Sequence, residues 1–138
     1  MTILDSILLV DDDHPTNFLH KRTLRKMGYT GDIHEAYDAE EGLKLLANDP
    51  PLGIQLVLLD LNMPRVNGWE FVERYARDLP HSDSIIVILT TSLNPDDEKR
   101  AISSQHVAAF HRKPLSREVV EAIVDTRFKG FRQADMAN

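Results

Sequence analysis

The chain has 138 residues, which suits one domain around one core. It holds no cysteine, which excludes disulfides, thiolate catalysis and Cys-type zinc sites. Sixteen Lys and Arg stand against 22 Asp and Glu, a formal charge of −6 that argues against non-specific nucleic-acid binding. No apolar run approaches the roughly 20 residues that span a bilayer. Residues 1–10 lack a basic segment and a small-residue cleavage site. A cytoplasmic protein without a membrane segment is therefore expected.

In chain order, "ILLV" at 7–10 is short, uninterrupted and apolar, the pattern of a strand buried on both faces. A helix follows, marked by Phe18, Leu19, Leu24 and Met27, with Gly28 as its stop. Its basic stretch "HKRTLRK" at 20–26 reads as a solvated face or as a docking face for an acidic partner. "IHEA" at 33–36 is a weaker strand. Ala39, Leu43, Leu45 and Leu46 mark a second helix, ended by "NDPPLG" at 48–53. "LVLL" at 56–59 is another buried-type strand, and Trp69, Phe71, Val72 and Tyr75 mark the third helix. "IIVIL" at 85–89 is a fourth strand. A short helix begins near Pro95, with Asn94 as cap and Asp96, Asp97 and Glu98 in its first turn. "VAAF" at 107–110 is the weak fifth strand. The last helix starts near Ser116 and is expected to run to about Phe131, before a frayed "QADMAN". Five β-α units predict an open α/β parallel sheet with helices on both faces, in a single domain spanning 1–138.

In such sheets the ligand site lies beyond the carboxyl ends of the strands. There the sequence places Asp11, Asp12 and Asp13 after the first strand, Asp60 after the third, Thr90 and Thr91 after the fourth, and Lys113 and Pro114 after the fifth. Clustered carboxylates repel one another and raise their pKa values. A hard cation such as Mg²⁺ relieves this, as does a lysine ammonium. An aspartate so supported can attack phosphorus and form an aspartyl phosphate. The transfer needs positioning and charge neutralisation rather than further covalent help. Asp13 has two readings, a third acid of the site or a cap for the first helix beside Pro15. The six histidines (14, 20, 34, 81, 106, 111) lack metal-ligand spacing and read as surface or packing residues. Trp69 reads as partly buried helix packing.

The pieces "LLVDDD", "LLDLNMPRVNGWEF", "VILTTS" and "FHRKP", in this order, resemble the receiver domain of two-component response regulators, including the chemotaxis regulator. The resemblance covers roughly Ser6 to Thr126. It implies a flavodoxin-like (βα)5 doubly wound sheet with strand order 2-1-3-4-5. It implies that Asp60 is the phosphoacceptor. Asp11 and Asp12, with Asp60 and the backbone carbonyl of Asn62, would hold Mg²⁺ or Mn²⁺. Thr90 would be the switch hydroxyl, with Thr91 in the family's small-residue slot. Lys113 would pair with the phosphoryl group and Pro114 would follow a cis bond. Phe110 would be the aromatic gate, and Gly68 would lie in the turn after the third strand. Asn62 and Ser92 would govern the lifetime of the phosphoryl group. The expected role is a signalling phosphoacceptor, not a conventional enzyme, which catalyses only its own phosphorylation and slow dephosphorylation. Its donor would be a histidine kinase or a histidine phosphotransfer protein. Its output would go through an unidentified protein target and a surface around the fourth helix, fifth strand and fifth helix, where homodimerisation also has room. The alternatives are a phosphorelay intermediate or an aspartyl-phosphate phosphohydrolase. The second is disfavoured because Asn62 stands where such enzymes carry their second acid.

Overall fold

The computed structural model describes residues 1–134. Its ten elements alternate strictly. They are β1 (Ser6–Val10), α1 (His14–Lys26), β2 (Asp32–Ala36), α2 (Ala39–Leu46), β3 (Leu56–Leu59), α3 (Gly68–Asp78), β4 (Ile85–Thr90), α4 (Pro95–Ser103), β5 (Ala109–Arg112) and α5 (Arg117–Arg127). The strands form one parallel sheet in the order β2-β1-β3-β4-β5, the flavodoxin-like arrangement expected.

The continuous apolar runs follow from burial on both faces, since alternate residues of one strand serve different cores. Leu8, Val10, Val57, Leu59, Ile86 and Ile88 point towards Phe71, Val72 and Tyr75 of α3 and Ala101 of α4. Ile7, Leu9, Leu56, Leu58, Val87 and Leu89 point the other way, towards Leu24 of α1 and Val120, Ile123 and Val124 of α5. Each helix starts on a side-chain acceptor for an otherwise unpaired backbone N–H. Asp13, Asp38, Asn67, Asn94 and Ser116 fill this role in turn. No helix among the described residues is long and apolar enough to cross a membrane.

Several expectations are corrected. Phe18 and Leu19 are 63% and 56% exposed, so they do not mark the inner face of α1. That face carries Asn17, His20 and Leu24 instead. The fifth strand begins two residues later than "VAAF", because Ala109 is the residue in register with Val87. Val107 packs into the core from the preceding loop. Gly68 opens α3 rather than lying in the turn. There a Cβ would meet the Asp60 carbonyl oxygen at 2.7 Å and the Leu61 Cα at 2.8 Å.

The last helix ends at Arg127, not near Phe131. Phe128 is extended and Gly130 takes a φ of +136°, a conformation open to glycine and strained for other residues. The chain then returns to the amino end of the sheet, where Phe131 forms a parallel bridge with Leu4. Leu4 N–H donates to the Gly130 carbonyl (2.9 Å), Arg132 N–H to that of Leu4 (2.8 Å) and Thr30 N–H to that of Arg132 (2.8 Å). Phe131 meets Tyr29 edge to face, with ring centroids 6.1 Å apart. Of the "QADMAN" tail expected to fray, residues 135–138 lie outside the described residues.

Candidate functional site

The strand order reverses direction between β1 and β3, which opens a crevice above their carboxyl ends. Register fixes what faces it. Asp60 N–H donates to the Val10 carbonyl (2.9 Å) and Asp11 N–H to that of Ala36 (3.1 Å), so both aspartates follow immediately on the paired strands. Asp11 and Asp60 are buried and Asp12 is exposed, and one carboxylate oxygen from each lies within 4.8 Å of the others. The residue numbers 11, 12 and 60 thus meet in one place, as expected.

Lys113 reaches the same place from the end of β5. Its Nζ is ion-paired with Asp11 Oδ2 and stands 3.5 Å from Asp60 Oδ2. Its backbone N–H donates to the Thr90 carbonyl over 2.9 Å, which ties the lysine to the end of β4. The Lys113–Pro114 bond is cis, as is Asp49–Pro50, which the sequence reading did not foresee. The Thr90 hydroxyl is fully buried and donates to Asp60 Oδ1 at 3.2 Å, whereas Thr91 is exposed. The backbone N–H of Asn62 also bonds the Asp60 carboxylate, while the Asn62 side chain faces solvent. Phe110 lies half-buried against the core, with the Arg112 guanidinium 5.3 Å from its ring centroid.

Burial pushes the Asp60 carboxyl above the usual carboxylate range. Lys113 pulls it back, Asp11 adds to the rise, and the Asn62 N–H and Thr90 hydroxyl oppose it. Formally, three carboxylates and one ammonium leave two negative charges in a small volume. Clustered carboxylate oxygens are the hard donor set that suits Mg²⁺ or Mn²⁺, so the residues fit a divalent ion.

Asp13 resolves as a cap. Its Oδ2 accepts from the Thr16 N–H at 3.1 Å and from the Thr16 hydroxyl, which holds its carboxyl below the usual range. Its own N–H donates to Asp11 Oδ1 at 3.0 Å, so it also orients a member of the cluster.

Three residues near the site were missed by sequence reasoning. The buried Asn17 donates from Nδ2 to the Asp11 carbonyl (3.0 Å). The buried His20 accepts at Nε2 from the Leu115 N–H (3.4 Å). Asp97 accepts from the Ser92 hydroxyl (2.5 Å) and from the Trp69 indole (3.0 Å). The available signal was helical spacing. Asn17, His20 and Leu24 recur at three and four residues, which puts two polar side chains on the face that Leu24 buries.

Comparison with known proteins agrees with this geometry. The chain is 36% identical over 122 residues to the probable methanogenesis regulatory protein FilR2 of Methanothrix harundinacea, covering 86% of this chain and 78% of that protein. It is 30% identical over 130 residues to a probable cyclic di-GMP phosphodiesterase of Vibrio cholerae, covering 94% of this chain but 28% of that protein. The crystal structure of a two-component response regulator from Cytophaga hutchinsonii superposes with a TM-score of 0.78 at 27% identity, covering 90% of this chain and 96% of that one. Residues 7–125 match the family described as the response regulator receiver domain. The chain belongs to the response regulator receiver domain family.

Proposed function

We propose that this receiver accepts a phosphoryl group on Asp60 from a phosphohistidine of a kinase or phosphotransfer protein, and that the modification alters a protein-binding surface. The observation that carries this reading is the convergence on one carboxylate of the Lys113 ammonium and the Thr90 hydroxyl, beside Asp11 and Asp12.

In the transfer, an Asp60 carboxylate oxygen attacks phosphorus. A P–O bond forms, the donor's P–N bond breaks, and the departing imidazole nitrogen takes up a proton from solvent. Asp11, Asp12, Asp60 and the Asn62 carbonyl would hold Mg²⁺ or Mn²⁺. When bound, the ion neutralises charge on the phosphoryl oxygens. Lys113 takes a second share of that charge. The Thr90 hydroxyl, already a donor to Asp60, turns to a phosphoryl oxygen. Its movement leaves space for the Phe110 ring, and the resulting population shift alters the surface of α4, β5 and α5. The group is lost when water attacks phosphorus in line. A new P–O bond forms, the bond from phosphorus to the Asp60 oxygen breaks, and inorganic phosphate leaves with the water's proton going to solvent. Asn62 and Ser92 influence the rate. The proposed site of the exchange is the cytoplasm, where the donor's phosphohistidine would be met.

The test is incubation with acetyl phosphate, with and without Mg²⁺, followed by intact-mass spectrometry. One added phosphoryl group, labile to alkali and absent from Asp60→Asn, is expected. Full labelling of that variant overturns the assignment.

A further inference from the structure

Two polar side chains occupy the inner face of α1, where an apolar residue would be the ordinary choice. Asn17 is 0% exposed and His20 is 4% exposed. Burying an amide or an imidazole is costly unless it is hydrogen-bonded. Asn17 Nδ2 and His20 Nε2 each find a partner on the backbone of a different half of the charged cluster, while the buried Asn17 Oδ1 has none among the described residues. Asn17 Nδ2 holds the carbonyl of Asp11, and His20 Nε2 holds the N–H of Leu115. Proline has no N–H, so Leu115 offers the first backbone donor after Lys113. The two side chains stand one helical turn apart on α1. Between them they grip the segments whose side chains, Asp11 and Lys113, form the ion pair of the site.

We propose that His20 is a positioning residue for the phosphoryl-transfer site. Through the Leu115 N–H it fixes the segment that delivers Lys113, while Asn17 fixes the segment that delivers Asp11. A helix that contributes no group to the chemistry thereby sets the distance between the ammonium and the carboxylates. The inference rests on the phosphoacceptor reading given above.

Acceptance at Nε2 requires the neutral imidazole with its proton on Nδ1. Burial, together with the nearby Lys113 charge, holds His20 in that form by lowering its pKa to about 4. An apolar side chain at this position would keep the packing but leave the N–H of the buried Leu115 without its partner. Glutamine can place its amide oxygen near the position of Nε2 and would restore the bond.

The experiment measures the rate of labelling by acetyl phosphate in Mg²⁺, by intact mass, together with Mg²⁺ affinity, in the wild type, His20→Leu, His20→Gln and Asp60→Asn. Loss of the bond in His20→Leu is expected to slow labelling about fivefold to tenfold, with Mg²⁺ affinity unchanged. His20→Gln is expected to return to within about twofold of the wild type. Should His20→Leu fail to fold, His20→Met supplies the same test with a flexible side chain. Wild-type labelling rates in the apolar variant, or equal impairment of the Gln and apolar variants, overturn the proposal. Loss of Mg²⁺ binding in the apolar variant also overturns it, because the damage would then not be confined to the Lys113 segment. Absence of labelling in the wild type overturns the phosphoacceptor reading and this inference with it.

Discussion

The Trp69 indole donates a 3.0 Å hydrogen bond to the carboxylate of Asp97, joining the first turn of α3 to the first turn of α4. Asp97 also accepts from the Ser92 hydroxyl, and the Ser92 N–H donates to the Thr90 hydroxyl oxygen over 3.2 Å. A chain of contacts thus runs from the expected switch residue to the only tryptophan. The Arg100 guanidinium lies over the same indole, 4.4 Å from its centroid.

If Thr90 turns to a phosphoryl group, the Ser92 segment moves and the indole loses its fixed partner. Tryptophan emission should therefore shift when Mg²⁺ and acetyl phosphate are added. The shift should be absent from Asp60→Asn. Asp97→Ala should emit differently from the start, respond less, and lose about 1–2 kcal/mol of stability for its broken bonds. Unchanged emission on full labelling would show that the loop and the indole are not coupled.

Lys113→Ala removes the ammonium from the pocket but leaves all three carboxylates. Its Mg²⁺ affinity should match or exceed that of the wild type, because a competing cation is gone. Labelling should fall about a hundredfold, the scale for loss of one charge-stabilising donor. Calorimetric titration with Mg²⁺ and labelling kinetics measure the two effects separately.

His20 gives a pH dependence with a definite sign. Its folded-state pKa is about 4 against an ordinary 6.5. Between those values the unfolded chain binds the proton and the folded chain does not, so this group costs stability as pH falls from 6.5 towards 4. From pH 7 to pH 5 the loss amounts to about 2 kcal/mol. Asp60 works in the opposite sense. Its raised pKa lets the folded protein bind a proton sooner, which offsets part of the loss. Urea melts at the two pH values should show a smaller drop in His20→Leu than in the wild type.

Gly68→Ala tests the close approach at the start of α3. The clash is with backbone atoms of Asp60 and Leu61, which cannot swing aside as a side-chain tip can. The variant should lose about 1–3 kcal/mol in thermal unfolding. It should also label more slowly, since the displaced backbone carries the acceptor.

The parts of the fold legible in the sequence were those under the strongest single constraint. β1, β3 and β4 lie inside the sheet with both faces covered, so their apolar runs have no competing reading. β2 and β5 are edge strands with partly exposed residues, and their signal was correspondingly weak. The Asp11, Asp12, Asp60 and Lys113 cluster was legible because each member lies within two residues of the carboxyl end of a strand. The inner face of α1 was not. Phe18 and Leu19 are apolar but exposed, whereas Asn17 and His20 are polar but buried, because backbone groups of Asp11, just before the helix, and of the remote Leu115 bond to them. Helical spacing put Asn17 and His20 on the face of Leu24, but the backbone partner of His20 is visible only in the tertiary structure. The end of α5 was misplaced for a related reason. Helical spacing continues through Phe128 and Phe131, but Phe131 is drawn off to the bridge with Leu4.

That bridge has a mechanical consequence. Leu4 and Phe131 run in the same direction, so tension applied between residues 1 and 134 would pull the two segments past each other lengthwise. The bonds Lys129 to Thr2, Leu4 to Gly130 and Arg132 to Leu4 would be stretched together rather than opened one after another. Under traction the domain should resist like a clasp in shear, yielding abruptly at high force before the first strand leaves the sheet.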